Sequence, residues 1–133
     1  MPRTMVALIV ALLATASIPA SAAVEHVVAV PGSGAPNAGE YATPVVVSRA
    51  GTEVAFDNLD PATSPHDVVS DLFGPDGRPW CQGVPSGGCR LFASQTVAGP
   101  ATVPVRGTEL LAAGSYGFFC RVHPWMTGTL VVA

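Results

Sequence analysis

The stretch from Tyr116 to Ala133, Tyr-Gly-Phe-Phe-Cys-Arg-Val-His-Pro-Trp-Met-Thr-Gly-Thr-Leu-Val-Val-Ala, constrains this chain more than any other. Its two ends are rich in aromatic and β-branched residues and read as strands. Between them lie a thiol, an imidazole and a thioether at Cys120, His123 and Met126. Thiolate and thioether are soft ligands, and imidazole suits copper as well as zinc. Pro124 fixes φ and Gly128 tolerates positive φ, so a sharp turn that brings Cys120 and His123 to one ion is expected here. A second imidazole must come from elsewhere in the chain.

The N-terminus reads as an address rather than as part of the fold. Arg3 supplies a positive start, Met5 to Ala16 is apolar, and Pro19-Ala-Ser-Ala-Ala23 ends in small residues. This is the pattern of a secretory signal, with cleavage after Ala22 or Ala23. The apolar run is shorter than the ~20 residues a membrane span needs. Residues 1–23 are therefore taken as an export signal and 24–133 as one compact domain, periplasmic or extracellular, with no membrane span after cleavage.

From Val24 onward there is no lysine, and nine acidic side chains stand against five arginines, a formal charge of −4. A mildly acidic surface without a basic cluster argues against nucleic acid as a partner. Three cysteines in an exported chain leave one over after pairing. Cys81 and Cys89 flank Gln-Gly-Val-Pro-Ser-Gly-Gly, which suits a small disulfide loop. Two free thiols or a second metal site are the competing readings, and neither has a nearby His in support. If the pair forms, Cys120 is the odd thiol, and coordination would account for its survival.

Along the chain, expected strands cover Val24–Val30, Thr43–Ser48, Thr52–Asp57, His66–Ser70, Arg90–Phe92, Ala101–Val105, Ser115–Cys120 and Thr127–Ala133. In the third, Val54 and Phe56 share one face while Glu53, Ala55 and Asp57 share the other, as in a half-buried strand. Asp71 to Arg90 is rich in Gly and Pro and reads as a long surface excursion. Seven to eight short strands in about a hundred residues point to an all-β sandwich. His26 reads as a surface side chain of the first strand.

His66 is the candidate for the missing imidazole, because it follows a loop and opens a strand. With Cys120 and His123 it would form a trigonal set of two nitrogens and one sulfur, Met126 adding a weak axial ligand. Such a set suits an electron-transfer copper site.

The run Tyr116–Gly128, with Ser64-Pro-His-Asp-Val-Val69 upstream, resembles the cupredoxin family of type 1 copper proteins. The Cys-x2-His-x2-Met spacing is most similar to amicyanin and its plastocyanin-like relatives. The resemblance implies a Greek-key β-sandwich, one copper ion bound by His66, Cys120, His123 and Met126, and one-electron transfer. Relatives usually carry Asn directly after the first ligand His, where its amide braces the backbone beside the Cys ligand. Asp67 stands there in this chain and has no amide donor to offer. The ring edge of His123 is the expected exit for the electron. Pro124 and Trp125 form the expected apolar rim where a redox partner docks transiently on a monomer.

The runner-up is a copper carrier or store, which would use the same ligands. An enzyme is disfavoured, since a substrate-activating centre needs further His ligands and only His26 remains. A structural zinc site is disfavoured because Met is a poor zinc ligand.

Overall fold

A computed structural model describes residues 24–61 and 64–133. The export signal expected over residues 1–23 lies outside the described residues. Seven strands form two sheets: β1 (His26–Ala29), β2 (Val45–Ser48), β3 (Val54–Asn58), β4 (Val69–Ser70), β5 (Ala101–Val105), β6 (Gly114–Phe119) and β7 (Thr127–Val132). The first sheet runs β1-β3-β5 and the second β2-β7-β6-β4. β1 pairs with β3, and β2 with β7, in parallel; the remaining pairs are antiparallel. The fold is the all-β sandwich that the strand count implied. Among the described residues no helix is long and apolar enough to cross a membrane.

Period-two alternation explains which faces meet. Val27 and Ala29 of β1, Val46 and Ser48 of β2, and Leu130 and Val132 of β7 are buried, while Val45 and Val47 face out. Tyr41, Phe56, Phe92, Phe118, Met126 and Leu130 are the largest side chains buried in the core. Tyr41 meets Phe118 edge-on at 5.2 Å and Phe56 at 6.4 Å, the offset geometry that the charge distribution of aromatic rings favours. Burying each such ring contributes roughly 1.5–3 kcal/mol.

Four local expectations are corrected. Ala55 is buried with Val54 and Phe56 because β3 is the central strand, and His26 and Pro104 flank it in register. His66–Ser70 is not one strand: only Val69–Ser70 pairs as β4, and His66 keeps a lone bridge to Val97. The ladder breaks between them because the Val68 N–H donates to the Ser94 hydroxyl (2.9 Å) instead of to a backbone carbonyl. Arg90–Phe92 makes no strand; Arg90 has an isolated bridge to Phe73, and Ala93 has others to Val69 and Arg106. Gly128 does not use positive φ. It lies inside β7, where an added Cβ would sit 2.3 Å from the Phe118 ring, so the need there is for close approach.

The excursion over residues 71–90 is closed by a Cys81–Cys89 disulfide. It contains one 3-10 turn, Pro79–Cys81, and Trp80 Nε1 donates to the Arg90 carbonyl at 3.0 Å. His26 is no member of the His66, Cys120 and His123 group found among the described residues; it is half-exposed and 2.7 Å from the Asp57 carboxylate, in keeping with a surface side chain.

Candidate metal centre

β6 and β7 form a hairpin whose connection carries three of the four candidate ligands. The Met126 N–H donates to the His123 carbonyl (2.8 Å), and the Cys120 N–H to the Met126 carbonyl (3.1 Å). These two bonds fold residues 120–126 back on themselves at the end of the sheet. Cys120 and Met126 are wholly buried, and His123 is 9% exposed.

His66 joins them from the segment that leads into β4, the neighbour of β6 in the same sheet. Its N–H and carbonyl both pair with Val97, each at 3.0 Å, and its ring is fully buried. One ligand atom from each of His66, Cys120 and His123 lies within 4.8 Å of the other two. Cys120 Sγ is 3.8 Å from His123 Nδ1, and the two imidazole centroids are 4.7 Å apart.

Among the described residues, His66 Nδ1 is a buried polar atom with no hydrogen-bond partner. An orphan of this kind costs about 1–3 kcal/mol in a closed core. A ligand position explains why it is tolerated, because a lone pair kept for a metal must not be spent on a donor. Cys120 is the unpaired thiol, since Cys81 and Cys89 bond to each other. Burial pushes the Cys120 thiol up, against the pull of backbone N–H groups of Asp67, His123 and Val122. Burial, and then the neighbouring His66, push His123 down, which keeps its imidazole neutral. Neutral imidazole and a protonated thiol await a cation that displaces the thiol proton on binding.

The structure brings His66, Cys120 and His123 together as the sequence led one to expect; of the residues around them, the sequence pointed to Asp67 but not to Thr96, Ser64, Asp60 or Gly34. Asp67 does brace the site, through a carboxylate that only accepts. Its Oδ1 takes the N–H of Arg121, the residue after Cys120, at 2.8 Å. Its Oδ2 takes Arg121 Nε at 2.8 Å and the Thr96 hydroxyl at 2.6 Å. Thus Arg121 and Thr96 satisfy a buried carboxylate that has no donor of its own to offer. The Asp67 carbonyl accepts from the Tyr41 hydroxyl, whose ionisation is pushed far up by burial and then by Cys120 and Asp67.

The outer nitrogens of both imidazoles are also engaged. His66 Nε2 lies 3.2 Å from Asp60 Oδ2, and His123 Nε2 lies 3.0 Å from Ser64 Oγ. Gly34, in the loop after β1, lies over both rings: an added Cβ would be 2.8 Å from His123 Nε2 and 3.0 Å from His66 Cε1. The expected open ring edge at His123 is therefore covered. Trp125, 39% exposed, stands edge-on to His123 at 5.5 Å, beside exposed Pro124.

No protein-family profile and no curated protein sequence matches the chain. Solved structures do. A purple cupredoxin from Nitrosopumilus maritimus is 21% identical with a TM-score of 0.55, over 81% of this chain and 98% of that one. Amicyanin from Paracoccus versutus is 25% identical with a TM-score of 0.52, over 89% of this chain and 87% of its own. The Cu(I) form of an amicyanin mutant is 23% identical with a TM-score of 0.54, over 86% of this chain and 85% of its own. What these structures share with the chain is the cupredoxin sandwich, and the two histidines and one cysteine gathered at its pole fit a type 1 copper site.

Proposed function

We propose that the protein is an exported blue copper protein that carries single electrons between redox partners and is not an enzyme. His66, Cys120, His123 and Met126 would hold the ion. The observation that carries this reading is the buried triad itself, with an imidazole nitrogen left without a donor and a thiol left out of the disulfide. The Cu(I) form of the amicyanin mutant, a structure of similar fold, supports the same ion. Bound there, copper would supply the one-electron couple, its two oxidation states sharing a soft, low-coordinate ligand set.

The chain's part is to keep the ligands still. Cys120, His123 and Met126 are tied into one closed turn, and His66 is fixed by its two-bond bridge to Val97. A frame that cannot relax lowers the reorganisation that accompanies a change of charge. Burial of all four side chains excludes water and competing donors. It also favours retention of the ion over hand-off, which supports the electron carrier over the copper carrier.

With the His123 edge covered, Pro124 and Trp125 are left as the apolar surface nearest the cluster. They would form the patch where a partner protein docks transiently, as small interfaces suit such encounters. Replacing Trp125 by Ala should slow electron transfer with the partner at least several-fold while leaving the visible spectrum unchanged. Loss of the metal on that substitution would instead make Trp125 part of the site's packing. For the function as a whole, the decisive measurement is a visible spectrum after Cu(II) is added to the purified 24–133 domain. An intense thiolate-to-copper band toward the red is expected, and a colourless product overturns the reading.

A further inference from the structure

Asp60 has no role in the ligand set, yet its carboxylate is nearly fully buried beside that set. Its side chain is 5% exposed, and Oδ2 lies 3.2 Å from Nε2 of the fully buried His66 ring. A carboxylate in such a place costs several kcal/mol unless it is paired. The chain nevertheless spends three further interactions on holding it there.

Asn58, the last residue of β3, organises this corner. Its Oδ1 accepts the Asp60 N–H at 3.0 Å, the side-chain turn that Asn makes with the residue two ahead. Its Nδ2 donates to the Val97 carbonyl at 2.8 Å. Val97 is the residue whose backbone pairs both polar groups of His66. Gly99 then presses on the Asp60 backbone so closely that an added Cβ would lie 2.1 Å from its carbonyl oxygen. One amide side chain therefore ties the carboxylate and the imidazole to the same short frame.

From this geometry we infer that Asp60 is a positioning residue: it accepts the Nε2–H of His66 and thereby keeps the Nδ1 lone pair for the metal. The inference rests on the copper reading above and deepens it. A neutral imidazole carries one proton, and a carboxylate at Nε2 decides where that proton stays. The bond fixes the ring's rotation, and Nδ1 then has no hydrogen-bond partner among the described residues. A carboxylate accepting at the far nitrogen also makes the imidazole a stronger donor, as outer carboxylates do for metal-bound histidines. His123 differs, because its Nε2 meets the Ser64 hydroxyl, a neutral group. The two imidazoles are thus unequal donors, and the asymmetry favours Cu(II) over Cu(I).

Two measurements test this, and they fail separately. The first uses the metal-free protein and nitrogen-15 NMR of the histidine side chains. His66 is expected as the Nε2–H tautomer, with a slowly exchanging ring proton that is lost in Asp60→Ala. An Nδ1–H tautomer, or a doubly protonated ring at neutral pH, overturns the inference whatever metal the protein binds. The second compares copper-loaded wild type with Asp60→Asn, which keeps an acceptor oxygen and the side-chain shape but removes the charge. The Cu(II)/Cu(I) balance should move about tenfold toward Cu(I), about 59 mV for a one-electron couple. Asp60→Ala should weaken copper binding about 10- to 100-fold. An unchanged potential in Asp60→Asn overturns the electronic half of the inference. If wild type binds no copper, the functional reading fails while the tautomer result still decides the role of Asp60.

Discussion

A methyl group added at Gly34 would collide with both imidazoles, at 2.8 Å from one and 3.0 Å from the other. Neither ring can retreat, since each is held by a hydrogen bond at its outer nitrogen. Gly34→Ala should therefore destabilise the metal-free protein by about 1–3 kcal/mol, the usual cost of overpacking a filled site. Chemical denaturation of the metal-free form reads this, and an unchanged midpoint would show that the loop lifts away freely. Arg121→Ala probes a different contact. It removes one of three donors to the wholly buried Asp67 carboxylate but leaves the backbone N–H and Thr96 in place. Because the Arg121 side chain is half-exposed, water screens the pair, and the loss should be about 1 kcal/mol. A loss above 3 kcal/mol would mean that the guanidinium holds the two ligand-bearing segments together by itself. Three candidate ligands could be named from the sequence because Cys120, His123 and Met126 sit within seven residues of one another, where spacing alone argues for one ion. Ser64, Gly34 and Thr96 could not, because each meets its partner across a distance in sequence that only the sandwich closes; Asp60 is only six residues from His66, but the loop between them has no periodicity to show that the two side chains meet. A faint signal did exist at Asn58-Leu-Asp60, whose spacing fits a side-chain turn.

Among the elements, strand existence was easier to read than strand partnership. Alternation in β1, β2 and β7 reveals which side chains face inward, but not that β1 lies parallel to β3 and β2 parallel to β7. Consecutive β2 and β3 end up in different sheets, and no local pattern distinguishes that from a hairpin. The stretch from His66 to Ser70 shows the same limit: its apolar pattern suits a strand, and the competing Ser94 hydroxyl comes from far along the chain. The disulfide excursion has its own anchor in Asp76. Its carboxylate takes the Gly87 N–H at 2.9 and 3.0 Å and the Ser86 hydroxyl at 2.8 Å. Those bonds, the Gly87 backbone first, hold its pKa below the ordinary 3.8. The folded value is depressed, so the anchoring is complete above pH 3.8 and is lost as pH falls through the lower folded value. The Gly87 amide resonance should hence shift and exchange faster only in strong acid, and Asp76→Asn should weaken the same protection at neutral pH. A Gly87 signal that already moves near pH 5 would exclude Asp76 as its partner.

At the scale of the whole molecule, the question is whether the metal makes the fold or the fold makes the site. Every candidate ligand is fixed by backbone pairing that does not involve an ion: His66 by Val97, and Cys120 and His123 by Met126, in the connection between β6 and β7. The core of Tyr41, Phe56, Phe92, Phe118 and Leu130 spans both sheets, and Cys120 and Met126 pack into that same cluster as apolar side chains, with no ion needed to bury them. The metal-free protein should therefore unfold in one cooperative transition, unlike small domains whose folding free energy is metal binding itself. Copper should then act by mass action on a site already built. With free ion at a thousand times its dissociation constant, the gain is about 4.1 kcal/mol. For a domain of this size, that raises the melting temperature by roughly 10–25 °C. Thermal melts of the metal-free and copper-loaded forms, followed in the far-ultraviolet and by tryptophan fluorescence, measure both quantities. A metal-free chain without a cooperative transition would reverse the order of cause, making the ion a structural element of the sandwich and the triad its consequence.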